Sequence, residues 1–278
     1  MASITDCVVE GLKYPFNDIK KLLGFGVLFA LISALSTYTS FKSFEIFRMS
    51  IHLVENTNHS ISQIPFSQLP TGDIYLLVGL AILSFIVTLF ILGYQYDIVK
   101  FSIDKKSDLP GFGDVLGMFI KGIKYFIVGI AYNIIPMILL VAGVILVGDS
   151  SILIAISLIS ALLFVIAYFL LIMGLNNMIA YDSIKKAFDF REIFDNISNL
   201  GWGKYIGIII FSIIVMMIIS VAVGFILSFI TVGFAAAVNN QAVVVSIVIA
   251  IIEGLFVDSY MSVFFNRVCG SIYRESIK

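Results

Sequence analysis

The sequence predicts an all-α integral membrane protein. The expected architecture is a bundle of six transmembrane helices in three hairpin units of the same orientation, with short cytoplasmic amphipathic helices. Three observations predict it. Apolar residues make up 60% of the 278-residue chain and charged residues 13%, whereas a soluble domain is about half apolar and a quarter charged. Six nearly uncharged stretches, roughly 22–40, 74–96, 123–147, 152–175, 205–230 and 242–265, are long enough to cross a bilayer. Twenty residues at ~1.5 Å each reach the ~30 Å of a hydrocarbon core. Finally, fifteen of the seventeen Lys and Arg residues fall on one side of this threading.

The basic residues set the orientation. Lys13, Lys20 and Lys21 precede the first span. Lys100, Lys105, Lys106, Lys121 and Lys124 lie between the second and third. Lys185, Lys186, Arg191 and Lys204 lie between the fourth and fifth, and Arg267, Arg274 and Lys278 follow the sixth. Only Lys42 and Arg48 lie opposite. Short Lys/Arg-rich loops stay in the cytoplasm, so both termini are expected there, with the protein in the cell membrane as one membrane domain, residues 1–278. A formal net charge of −1 gives no reason to expect nucleic acid as a partner. Asp and Glu in the same loops offset the basic residues and argue against strong attraction to anionic lipid. Charges before the first apolar run, Asp6 to Lys21, argue for a retained first helix rather than a cleaved signal. Cys7 and Cys269, both on the cytoplasmic side, read as free buried thiols.

The elements follow a repeat. Glu10-Gly11-Leu12-Lys13-Tyr14 reappears as Lys121-Gly122-Ile123-Lys124-Tyr125 and again as Gly201-Trp202-Gly203-Lys204-Tyr205. Each copy precedes two spans, and the second span of each pair ends in polar residues: Gln95 and Asp97, Asn176 and Asn177, Asn266 and Arg267. Tyr favours the headgroup level and Lys extends to water. Lys13, Tyr14, Lys124, Tyr125, Trp202, Lys204 and Tyr205 therefore read as interface anchors. Amphipathic spacing appears in 190–200, where Phe190, Ile193, Phe194, Ile197 and Leu200 share one helical face, and in 114–124, where Val115, Leu116, Phe119, Ile120 and Ile123 do. Such helices fit the headgroup plane or the underside of the bundle. The outer connections 147–151 and 231–241 are short. The outer loop 41–73 is long; Phe41, Phe44, Phe47, Ile51 and Val54 suit a continuation of helix one, and a tandem Ser-Gln-Ile-Pro, Ser-Gln-Leu-Pro follows.

Several of these residues also carry a resemblance. Gly11-Leu12-Lys13-Tyr14-Pro15-Phe16-Asn17-Asp18, Leu109-Pro110-Gly111-Phe112, Phe188-Asp189-Phe190-Arg191-Glu192-Ile193 and Gly201-Trp202-Gly203-Lys204-Tyr205 resemble an archaeal membrane-protein family catalogued as domain of unknown function 4013. The resemblance covers nearly the whole chain. It implies an integral membrane protein of an archaeal envelope, and no activity, substrate or binding residue.

Candidate chemistry is sparse. Among 17 basic and 18 acidic residues, two lie well inside a span. Glu253 falls near the middle of the last helix and Asp258 nearer the cytoplasm. A carboxylate inside the membrane marks a functional-site hypothesis. Positions five apart stand about 140° apart on an α-helix, so no dyad on one face is expected. Asn133, at similar depth on the third span, is the candidate polar partner, and the alternative is a neutral packing role for all three. Pro136 frees a backbone carbonyl one turn on. Tyr96-Asp97 with Gly111-Phe112-Gly113-Asp114 superficially resembles the paired motifs of intramembrane aspartyl proteases, but both aspartates fall at or beyond the end of one span. His52 and His59 in the outer loop, with Glu55 between, form a weak metal pattern; no metal or cofactor is expected. Asn58-His59-Ser60 is a glycosylation sequon on the outer side. Ser220, Gly224 and Ser228, and likewise Gly122, Gly129 and Asn133, read as small-residue packing seams or a protomer interface.

The expected function is therefore that of a non-enzymatic membrane protein that organises lipid or assembles with a membrane-protein partner or its own copies. The alternative is a transporter or channel for a small or amphiphilic solute, using Glu253, Asp258 and Asn133. An intramembrane enzyme ranks last, since no paired catalytic groups are visible.

Overall fold

The computed structural model describes residues 3–57, 70–146, 150–237 and 242–277. They are overwhelmingly helical and, among them, no strand occurs. The main helices are α1 (Ile4–Lys13), α2 (Ile19–Thr57), α3 (Thr71–Ile103), α4 (Val115–Leu146), α5 (Ser150–Tyr181), α6 (Phe190–Leu200), α7 (Trp202–Ala237), α8 (Ala242–Glu253) and α9 (Ser259–Ser276). A π-helical turn, Gly254–Asp258, joins the last two. Six helical stretches are long and apolar enough to cross a membrane: Ile19–His52, Thr71–Ile103, Val115–Leu146, Ser150–Tyr181, Trp202–Gly233 and Val243–Ser276. Each runs past the apolar stretch that marks it in the sequence, because polar residues at its ends continue the helix.

Local chemistry sets the short elements. Ser3 caps α1: its Oγ accepts from the Asp6 N–H, and the Asp6 carboxylate accepts from the Ser3 N–H at 2.7 Å. That reciprocal pair satisfies two otherwise orphaned donors. Asp189 caps α6 by accepting from the Glu192 N–H. Gly201 ends α6 at φ +91°, a conformation that glycine adopts without strain, and α7 starts at the next residue. Asp114 accepts from the Gly117 N–H at 2.8 Å and opens α4. The 114–124 stretch is thus the first part of α4, not a separate surface helix, because the helix runs on from Val115 through Pro136 to Leu146. Helix α2 likewise carries on to Thr57, through Phe41, Phe44 and Phe47.

The chain divides into two compact units, Met1–Leu22 with Leu92–Met217 and Met261–Lys278, and Leu23–Ile91 with Ile218–Tyr260. The first unit contains fifteen of the seventeen basic residues. One of its cores gathers Cys7 and Val8 of α1, Met173 of α5, Ile193 and Ile197 of α6, Tyr205 of α7, and Phe264, Val268 and Tyr273 of α9. A second packs Tyr96, Val99, Val128, Tyr132, Met178 and Ala187. Helices α4 and α5 lie along each other, with Gly143 closely against Ile156. In α6, Ile193, Ile197 and Leu200 are buried, while Phe190 and Phe194 stay exposed.

Polar contacts hold the first unit together. The Glu10 carboxylate accepts from Arg267 and from Arg274, each at 2.7 Å at closest. The Arg267 guanidinium lies 4.1 Å over the Tyr14 ring and donates to the Lys106 carbonyl. Tyr14 donates to the Asp108 carbonyl, Asn17 to Ser107, Lys21 to Leu109 and Tyr94 to Pro110. The residues after α1 thereby clasp the segment between α3 and α4. Cys7 and Cys269 are free and buried, as the sequence suggested.

In the second unit, α2 meets the π turn backbone to backbone. A β-carbon on Gly26 would collide with the Leu255 carbonyl oxygen, and one on Gly254 would sit 2.6 Å from that of Phe29. Phe25 and Phe29 pack edge to face beside this contact, with ring centroids 5.0 Å apart. Large apolar side chains on α3, α7 and α8, among them Ile82, Phe225 and Val248, point outward. That is the pattern of a surface that hydrocarbon covers.

Burial alone would raise the Glu10 carboxyl, but the hydrogen bonds and charges of Arg274 and Arg267 hold it below its ordinary 4.5. A depressed folded value means the cluster's contribution is complete above about pH 4.5 and is lost as the pH falls through the folded value. Glu10→Gln should cost about 2 kcal/mol at neutral pH, less than the ~3–5 kcal/mol of a fully buried broken pair because Glu10 is partly exposed. Thermal melts in detergent at pH 7 and pH 3 check both points: the gap between wild type and variant should close at the lower pH.

Candidate functional site

The two carboxylates inside the last span flank the π turn. In such a turn the N–H of residue i+5 bonds the carbonyl of residue i, and here the Ser259 N–H bonds the Gly254 carbonyl. The wider coil turns less per residue, so Glu253 and Asp258 stand closer to one face than the 140° separation expected on a regular α-helix. The close contact at Gly26 and Gly254 places α2 beside them, with Ser33 near Asp258. Asp258 is half-buried, whereas Glu253 is exposed on the surface of the chain. Two carboxylates and a hydroxyl can take up a proton or a cation.

Asn133 belongs to the other unit, on α4, half-buried. Its amide donates to the Gly129 carbonyl one turn back, at 2.8 Å. It lines an apolar hollow with Tyr125, Phe126 and Met137. Pro136 is buried inside α4 and lines a cleft of about 220 Å³ between α4 and α5, with Tyr132 and Phe188.

The anchor residues divide. Tyr14 and Tyr205 are 2% and 0% exposed, with their hydroxyls on the carbonyls of Asp108 and Phe169. Protein rather than headgroups surrounds both rings. Burial pushes the Tyr14 hydroxyl up to about 12, against the pull of Arg267. Tyr125 and Lys204 are half-buried, and Lys13 and Trp202 are exposed. Lys124 pairs with Asp182 at 2.9 Å.

The remaining motifs take structural positions. Asp97 pairs with Lys121 at 2.7 Å, and Asp114 caps α4. His52 lines an open polar hollow with Lys42, Glu45, Arg48 and Asp73, in which Lys42 pairs with Glu45. His59, the Glu55 side chain and the Asn58-His59-Ser60 sequon lie outside the described residues. Among the described residues, no cluster of three or more His, Cys, Asp or Glu is placed to hold a metal ion. Ser220, Gly224 and Ser228 form no seam inside the chain: all three are exposed, and nothing lies within 4 Å of a β-carbon built on Gly224.

Sequence reasoning missed Ser33, Gly26 and the π turn. The single available signal was Gly254 directly after Glu253, since a glycine inside a helical pattern usually has a packing reason.

A family model described as "Protein of unknown function (DUF4013)" matches residues 76–228. No curated protein and no solved structure matches the chain.

The contact between α2 and the π turn can be tested directly. In a Cys7→Ser, Cys269→Ser background, Ser33→Cys with Asp258→Cys should form a disulfide under mild oxidation in the membrane. A doubly modified, uncrosslinked product after maleimide chase would contradict the contact.

Proposed function

The chain belongs to the DUF4013 family, and from its own residues we propose that it is a non-enzymatic membrane protein that works by lateral association in the bilayer, with the exposed face around Glu253 as the contact and a second copy as the occupant. One observation carries this reading: a carboxylate inside the last span is on the outer surface of the chain. Exposed Val248, Ile252 and Phe256 surround it in sequence. A charged side chain at the bilayer centre costs roughly 2.5–3.5 kcal/mol on insertion scales, and such residues normally face protein. A protomer laid over this face removes the carboxylate from hydrocarbon. The stripe of Ser220, Gly224 and Ser228, in the same unit and equally uncovered, supports the reading, because small residues four apart let helices approach closely. The termini and basic ends are assigned to the cytoplasm of the cell membrane on the distribution of Lys and Arg.

The second reading, a transporter or channel for a small solute using Glu253, Asp258 and Asn133, has its support in the π turn. That turn brings two carboxylates closer to one face, near Ser33, and π turns recur at functional sites.

Single-molecule photobleaching in liposomes separates the two. Wild type should distribute as oligomers at densities where Glu253→Leu and Gly224→Leu shift toward monomer, each by about 1 kcal/mol of association energy, roughly fivefold in affinity. Wild type that stays monomeric at every density overturns association. Cation or proton flux through wild-type liposomes, abolished by Asp258→Asn, would instead favour transport. For the topology, a cysteine at Ile277 should react with membrane-impermeant maleimide in lysed cells and stay unlabelled in intact ones.

A further inference from the structure

The polar residues that close the second span of each repeat meet inside the first unit. Gln95 of α3 donates to the Ser262 hydroxyl at 2.9 Å. Asn266 of α9 donates to the Ser262 carbonyl at 2.8 Å. Asn176 of α5 donates to the Cys269 carbonyl at 2.9 Å. Asn176 and Asn266, 1% and 5% exposed, line one cavity of about 90 Å³ together with Tyr125, Cys269 and, at its outer edge, the partly exposed Tyr168. Both amides direct their nitrogens to backbone carbonyls. Among the described residues, no protein donor reaches either amide oxygen, and no protein acceptor takes the Tyr125 hydroxyl proton. Those residues line a space large enough to hold water, which needs roughly 10–15 Å³ of such volume.

An amide oxygen or hydroxyl left without a partner in a protein interior costs about 1–3 kcal/mol, and cavities that stay dry are apolar ones. This one has acceptors on α5 and α9 and a donor on α4. Every side chain lining it is uncharged, so a bare ion entering would meet no counter-charge and be penalised heavily. We propose that the cavity is a binding site for small, uncharged, hydrogen-bonding molecules, occupied by a cluster of water at rest, and that this cluster bridges α4, α5 and α9. The site is independent of the Glu253 face and does not rest on the association reading.

X-ray radiolytic labelling of the protein in nanodiscs tests it, with water as the probe, because hydroxyl radicals made from bound water oxidise buried neighbours. The control is built in: Cys7 is buried like Cys269 and does not line the cavity. Cys269 should be modified several-fold faster than Cys7. Leu171→Phe, which fills the cavity from its apolar wall, should bring Cys269 to the Cys7 rate. Asn266→Leu, which removes an acceptor, should lower the rate if the first variant does not fold. Equal rates for Cys269 and Cys7 in the wild type overturn the proposal.

Discussion

A helix bundle surrounded by hydrocarbon gains little from hiding leucine, because lipid tails are as apolar as a protein core. Everything else in this protein depends on that constraint. Specific contacts must come from groups that lipid cannot satisfy, namely hydrogen-bonding side chains, charges and backbones brought close by glycine. The first unit uses the first two. Glu10 joins α1 to α9 through two guanidiniums, and a row of side chains from Tyr14 to Lys21 grips the carbonyls between α3 and α4. The second unit uses the third, with Gly26 and Gly254 letting α2 and the π turn touch.

The same constraint separates the polar groups into two kinds. Most are satisfied within the protein: Tyr205 on Phe169, Tyr273 on Asn177, Asn177 on the Lys186 carbonyl. Two groups carry the functional argument: Glu253 is exposed inside the last span, and Asn176 and Asn266 line a cavity. An outward carboxylate calls for a protein surface to cover it, and inward neutral acceptors call for a small neutral guest. The two arguments run on different residues in different units.

Much of the architecture was legible in the chain. Six long apolar runs between clusters of Lys and Arg state the number of spans, since hydrocarbon thickness sets the length of a span and charge sets its ends. The repeat of Lys-Tyr pairs was also visible, but the role of its tyrosines was not. Tyr14 and Tyr205 suit a headgroup belt by composition, and only packing against α9 and α5 shows their rings enclosed.

The sequence by itself determined that the protein spans a membrane, how many helices do so, and which ends carry positive charge. These follow from transfer energies that add residue by residue along one strand of chain. Only the tertiary structure decided that Glu253 is uncovered, that Asp258 lies near Ser33, and that Gln95, Asn176 and Asn266 converge. Each of those depends on a neighbour far away in sequence, and in the case of Glu253 and Asp258 on a single π turn that periodicity of 3.6 does not foresee. A side chain's partner is a property of how helices are rotated about their axes, and in an almost uniformly apolar sequence no hydrophobic face records that rotation.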